Sequence, residues 1–236
     1  MSPPLAVIFD LDDTLCDTTG AMLAALKAVS LRTPAFTGRS PAELHALQTR
    51  VMLGLDAQIY SGALTAQQAR TRRFELMLTE CGDPAPDGVG TALAYREVYR
   101  ASFRQTRGAG QLLKALREGG LRIGVLTNYL REVQQETLEA IELSSLIDVL
   151  VTVSDAPPKP HPGSYAAICK ALDVTPDQAV MVGDSWPNDV AGAVRAGLRA
   201  VWYNPSGHTA PAGVPHAVLA SLLPAETALT TLLCTV

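Results

Sequence analysis

The sequence predicts an α/β fold: a Rossmann-like parallel sheet core interrupted by an inserted all-α helical domain. Three observations carry this reading. The short apolar run Leu5 to Phe9 contains Val7, Ile8 and Phe9 and ends abruptly in Asp10-Leu11-Asp12-Asp13, as a buried central strand would. From Gly108 onward strand-like and helix-like segments alternate, the pattern of parallel strands covered on both faces. Between them, residues 17–104 show helical spacing and no convincing strand alternation. The core is therefore expected at 1–16 and 105–236, with the helical insertion at 17–104.

Taken in order, the insertion opens with the helix formers of Ala21 to Leu26. Ser40-Pro41-Ala42-Glu43 offers a cap residue, a proline at the first helical position and a glutamate at the third. Leu44, Leu47, Val51 and Leu55 then recur at helical spacing on one face. Thr65 starts a further helix that runs through Leu78 to Cys81-Gly82-Asp83-Pro84, and Val89–Phe103 supplies the next. In the core, Leu112, Leu113 and Leu116 mark a helix that Gly119-Gly120 ends. Strands follow at 122–126, 149–153, 179–182 and 200–203, with helices at 132–141, 162–172 and 187–196. A closing helix is expected from Ser221 to Leu233, with Ser221 as cap and Pro224 in the first turn.

Composition excludes several classes. The chain has 236 residues, 47% of them hydrophobic and 18% charged, which suits a folded globular protein and not a disordered one. Nineteen Lys and Arg against 23 acids leave a net charge of −4, so no basic field calls for nucleic acid. No apolar segment reaches the roughly 20 residues a membrane-spanning helix needs. Pro3-Pro4 leads into the first strand without the pattern of a secretory signal, so a cytoplasmic protein with no membrane partner is expected. Cys16, Cys81, Cys169 and Cys234 are scattered without CxxC spacing and read as reduced, mostly buried thiols. Cys16 lies close to the acids, but no histidine neighbours it in sequence, and packing is the better reading. His161 reads as a helix-start residue; His45, His208 and His216 show no metal spacing. Trp202-Tyr203 is expected in the core or along the wall of a site. Nothing in the sequence specifies an oligomeric state.

The chemistry is expected where parallel strands end, because open α/β sheets hold ligands at their C-terminal edge. The first strand delivers Asp10 and Asp12, which project the same way if the extended geometry persists. Close carboxylates repel unless a cation or a shared proton lies between them, which implies a metal site. The next strand ends in Thr127-Asn128, the third leads through Ser154-Asp155 to Lys159, and the fourth ends in Gly183-Asp184-Ser185 with Asn188-Asp189 beyond. Singly, each has a plainer role. An Asp after a strand often forms a turn or a cap, Thr127 and Ser185 could cap helices, and Lys159 could be a solvated loop residue. As a set, such clustered charges oppose folding unless ligands balance them.

The Asp10-Leu-Asp12-Asp13-Thr14 run resembles the opening DxDxT motif of haloacid-dehalogenase-superfamily hydrolases. Thr127, Lys159 and the Gly183-Asp184 to Asp189 segment match the remaining motifs in order. The resemblance covers the chain outside the insertion. It implies Asp10 as a nucleophile that takes a phosphoryl group and Asp12 as general acid, then base. It implies Thr127, Asn128 and Lys159 as substrate-binding groups, the first and last also catalytic, with Lys159 neutralising charge shared between phosphate and Asp10. Mg²⁺ would be held by Asp10, the main-chain carbonyl of Asp12 and Asp184, with Asp189 near by or water-bridged; hard oxygen ligands favour it over zinc. Asp13 and Thr14 would shape the turn, with Thr14 orienting groups around Asp10.

Within that family Asp12 argues against dehalogenation, because halide leaves without a proton and superfamily dehalogenases lack this acid. Phosphonate hydrolases use a cap lysine in its place. A Mg²⁺-dependent phosphomonoester hydrolase acting on a small phosphorylated metabolite is the expectation. The helical insertion resembles the cap of the phosphoglycolate phosphatase and nucleotidase branches. Leu126-Thr127-Asn128 with Gln134-Gln135, and Trp202-Tyr203-Asn204, are similar to nucleotidase-like members, although Tyr129 stands where many of those carry Gly. A phosphosugar mutase shares the same acids, and a non-catalytic Mg²⁺-binding module is the remaining alternative.

Overall fold

The structure, a computed structural model, describes residues 3–235. Six parallel strands form one sheet: β1 (Ala6–Phe9), β2 (Arg122–Leu126), β3 (Val149–Val151), β4 (Ala179–Gly183), β5 (Arg199–Tyr203) and β6 (Ala217–Leu219). Their order is β3-β2-β1-β4-β5-β6. The apolar first strand is therefore central: Val7 registers with Ile123 on one side and Val180 on the other, and all four β1 residues are fully buried. Parallel strands covered on both faces lose the polar alternation of a half-exposed sheet, which is why β1 and β4 read as continuous apolar runs.

The helices are α1 (Thr18–Ser30), α2 (Pro41–Tyr60), α3 (Ala66–Glu80), α4 (Gly88–Ala101), α5 (Ala109–Glu118), α6 (Arg131–Ala140), α7 (Pro162–Ala171), α8 (Gly192–Arg195) and α9 (Ala225–Cys234). Alternation along the strands divides the core. Ala6 and Ile8 of β1 join Met181, Ala200 and Trp202 in a cluster with Tyr165, Ile168 and Cys169 of α7 and Ala193 of α8. Helices α5 and α9 pack against each other and against β2 and β6 respectively.

By contact the chain divides into two compact units, residues 1–17 with 105–236, and residues 18–104. The second unit holds α1–α4 around Leu26, Phe36, Leu44, Phe74, Met77 and Tyr95. Its starts are fixed locally. Ser40 and Glu43 form a reciprocal capping box at α2, and Thr65 and Gln68 form another at α3, satisfying donors that a helix start leaves exposed.

Several boundaries differ from expectation for physical reasons. Strand β3 stops at Val151 because Asp155 captures the Thr152 N–H at 2.9 Å and its hydroxyl at 2.8 Å, turning the chain. The segment expected as one helix at 187–196 winds as a π-helix over Trp186–Ala191 before α8. Strand β6 was not expected; it is three residues long and only Leu219 is buried. The closing helix starts at Ala225, with Pro224 rather than Ser221 at its cap position. Cys16 and Cys169 are buried thiols, whereas Cys81 is half-buried and Cys234 exposed.

Candidate active site

The C-terminal ends of β1, β2 and β4 deliver the polar residues, and the register keeps them together. Beyond β1 the pairing with β4 continues by one residue, since the Asp10 N–H donates to Val182 O at 2.8 Å. The turn after it is tight: Asp13 is left-handed at φ 56°, a conformation Asp tolerates better than most residues. Asp13 thus occupies the turn position expected of it.

Lys159 lies at the centre. Its Nζ donates to Asp10 Oδ1 at 2.7 Å and to Asp189 Oδ1 at 2.6 Å, with 2% of its side chain exposed. Burial opposes the ammonium, but Asp10 and Asp189 outweigh that cost and hold its pKa above the ordinary lysine value. Asp10 Oδ2 makes no hydrogen bond among the described residues.

The lysine is presented by a main-chain clamp. Asn128 Nδ2 donates to Lys159 O and Asn128 Oδ1 accepts from Lys159 N–H, both at 2.7 Å. Asn128, expected to touch substrate, therefore spends its amide on the Lys159 loop. Thr127 is buried, but not as a helix cap, since Leu130 precedes α6. Its Oγ1 accepts from Gln134 Nε2 at 2.6 Å, and the same nitrogen donates to Asp12 Oδ2 at 2.7 Å.

At the end of β4, Thr14 bridges strand ends. Its hydroxyl donates to Asp184 Oδ1 at 3.2 Å and accepts from the Asp184 N–H at 3.1 Å. Thr14 thus orients Asp184; no hydrogen bond joins it to Asp10. Asp189 is fully buried; its Oδ2 accepts from the Ser185 N–H at 3.0 Å, while its Oδ1 holds Lys159. Ser185 acts through this main-chain donor, not through a side-chain cap. Gly183 makes the packing possible, because a Cβ there would lie 2.3 Å from Asp189 Cγ. Trp202 Nε1 donates to Asp184 O at 2.8 Å, and Trp186 meets the Trp202 ring edge-on at 5.0 Å. The Tyr165 hydroxyl donates to Asn188 O, tying the π-helical turn to α7. His161 caps α7, its Nδ1 accepting from Gly163 N–H at 3.0 Å.

Carboxylate oxygens of Asp10, Asp184 and Asp189 lie within 4.8 Å of one another. Burial, then the charges of Asp10 and Asp13, push the Asp184 carboxyl up to about 7 against the pull of its own N–H and Thr14. Burial also pushes Asp189 up, with Lys159 pulling it back. Three close carboxylates against one ammonium leave a surplus of negative charge that a divalent cation would neutralise. The donors are all hard oxygens, so the set fits Mg²⁺. Asp10 and Asp184 are the better placed ligands, since both Asp189 oxygens already accept hydrogen bonds.

The Gln134 contacts and the Thr14–Asp184 bridge are the site contacts that residue types and spacing alone did not assign, whereas Trp202 lies along the site, one of the two places expected for it. Gln134 had a signal: seven residues after Thr127, it lies in the first turn of a helix that follows the strand end directly.

Fold and site together are a parallel α/β sheet whose carboxyl edge is lined with acids around one buried lysine. Residues 4–197 match the haloacid dehalogenase-like hydrolases, and the chain belongs to that family. It is 31% identical over 232 residues to the N-acylneuraminate-9-phosphatase of Mus musculus, covering 92% of this chain and 90% of that protein. It is 34% identical over 211 residues to the phosphoglycolate phosphatase of Rhodospirillum rubrum, covering 84% and 78%. The magnesium-bound HAD hydrolase YfnB of Bacillus subtilis superimposes with a TM-score of 0.75 at 22% identity, over 98% of this chain and 99% of that one, a likeness of fold.

Proposed function

We propose that the protein is a Mg²⁺-dependent phosphomonoester hydrolase that acts on a small phosphorylated metabolite through an aspartyl-phosphate on Asp10. One observation carries the reading: a buried lysine joins the acid at the end of β1 to the acid beyond β4, residues 149 and 30 positions away from it in the chain. Packing alone gives no reason to desolvate these charges together, since burying an ion costs several kcal/mol before pairing repays it.

In the proposed reaction Asp10 Oδ2 attacks phosphorus and the bond to the ester oxygen breaks. Asp12 gives that oxygen its proton, then serves as base towards the water that cleaves the acyl phosphate. Lys159 and the Thr127 hydroxyl face the phosphoryl oxygens, where fixed donors act most strongly on developing charge. Asn128 and Asp189 hold Lys159 in place. Mg²⁺, held by Asp10, Asp184 and the Asp12 main-chain carbonyl, would supply charge neutralisation at the phosphoryl group. Residues 17–104 are read as the family's cap domain. Two of the relatives named above are phosphatases by name, of N-acylneuraminate 9-phosphate and of phosphoglycolate, which supports the substrate class.

Asp10→Asn is expected to lower Mg²⁺-dependent phosphate release from an aryl phosphate by ~10³ or more, about 4 kcal/mol of barrier. Undiminished turnover would remove the nucleophile assignment. A parallel screen of phosphoglycolate, sugar phosphates and nucleoside monophosphates would narrow the substrate; isomerised sugar phosphate without net phosphate release would favour a mutase.

A further inference from the structure

Gln134 is buried in the first turn of α6, on the face it shares with Thr137 and Leu138. Its Nε2 lies 2.7 Å from Asp12 Oδ2 and 2.6 Å from Thr127 Oγ1. A primary amide nitrogen carries two hydrogens and accepts nothing, so both are spent here, one on each residue. An amide oxygen turned to the same place would set acceptor against carboxylate, so the network itself specifies which atom points there.

Two consequences follow for the groups it touches. The Thr127 oxygen already accepts, so its own hydrogen is directed away from Gln134, and Oγ1 makes no other hydrogen bond among the described residues. Asp12 Oδ2 is likewise engaged, which fixes the orientation of that carboxyl group relative to Thr127. One amide nitrogen thus ties the general-acid candidate and the phosphoryl-binding hydroxyl to a single fixed point of α6.

We propose that Gln134 is a positioning residue that couples leaving-group protonation at Asp12 to phosphoryl binding at Thr127, making acid and donor act as one unit. The inference rests on the phosphatase reading above. In the step concerned, Asp10 Oδ2 forms the new bond to phosphorus while the bond to the ester oxygen breaks. The electron pair passes to that oxygen, which takes the proton from the Asp12 carboxyl. The charge left on Asp12 develops against the Gln134 N–H.

The test uses the full chain with Mg²⁺ and a series of substituted phenyl phosphates, from 4-nitrophenyl to 4-methoxyphenyl. Nitrophenolate leaves without help, whereas methoxyphenolate needs a proton. Gln134→Met, of similar length and without a donor, is expected to lose about tenfold more kcat/KM on the methoxy ester than on the nitro ester, a tenth or less of general-acid assistance as usually found. Gln134→Glu, which sets a second carboxyl against Asp12, should widen that gap. The ratio within one variant does not depend on the fraction folded. Gln134→Met added to Thr127→Val should cost less than it does alone, as for groups acting together. Equal losses on both esters, or fully additive effects, would overturn the proposal while leaving the phosphatase reading intact. Absence of turnover by the unaltered protein, or full turnover by Asp10→Asn, would remove that reading and this inference with it.

Discussion

Lys159 and Arg73 are both buried cations, one in each unit, and their surroundings differ in kind. Lys159 is enclosed by carboxylates, with Asp10 at 2.7 Å and Asp189 at 2.6 Å. The Arg73 guanidinium lies over two aromatic faces, 4.7 Å from the ring centres of both Phe74 and Tyr95, and its Nε has no hydrogen-bond partner among the described residues. A cation over rings uses its flat face and carbon stem as packing material. A cation between acids is held in one place and brings surplus negative charge with it. The first arrangement builds a core; the second gathers charge at one point of the sheet edge.

Removing the central lysine should break the comparison most visibly. Lys159→Met leaves Asp10 and Asp189 buried without their counter-charge, and a loss of ~3–5 kcal/mol is expected in denaturant unfolding without metal. Turnover should fall at least ~100-fold. A stable, active variant would mean that the lysine is only structural filling.

An intermediate effect concerns the surplus acids. Folded Asp184 keeps its proton to about pH 7, whereas unfolded Asp184 releases it near the ordinary aspartate value of 3.8. Between those values the native state binds more protons, so metal-free stability should fall as pH rises from about 4 to 7. Asp184→Asn cannot titrate, so with chelator at pH 8 the variant should be more stable than the parent by ~1 kcal/mol or more. With Mg²⁺ the order should reverse if Asp184 is the ligand proposed, because the parent alone keeps that carboxylate. Parallel unfolding curves that never cross would contradict this.

The smallest change is expected at the other cation. Arg73→Met should alter stability by no more than ~1 kcal/mol and leave turnover intact, since the methionine keeps the ring contacts and the lost cation–π attraction is of that size. Loss of turnover with an unchanged unfolding midpoint would erase the distinction drawn between the two cations.

What the sequence made legible follows the same division. Strand β1, its acids and the order of the later strand ends were readable because an apolar run ending in charge has few other meanings. The capping box at Ser40 and Glu43 was readable because its partners lie three residues apart. Partnerships across the fold were not. That Thr14 serves Asp184, 170 positions away, depends on the β1–β4 pairing and not on local pattern. Asn128 looked like a ligand contact because a polar residue after a strand often is one; its clamp on Lys159 spans 31 positions. Strand β6 was missed because three residues with one buried side chain carry no alternation. Arg73 was missed because an arginine in a helix of polar mean character gives no sign of facing inward.

The Trp202 contact with the Asp184 carbonyl has an optical consequence. The chain contains two tryptophans, and Trp186 packs edge-on against Trp202, so all the indole emission arises from one corner of the molecule. That corner adjoins the acid best placed to receive a cation. The protein thus carries a built-in fluorophore pair whose signal reports on the loop after β4.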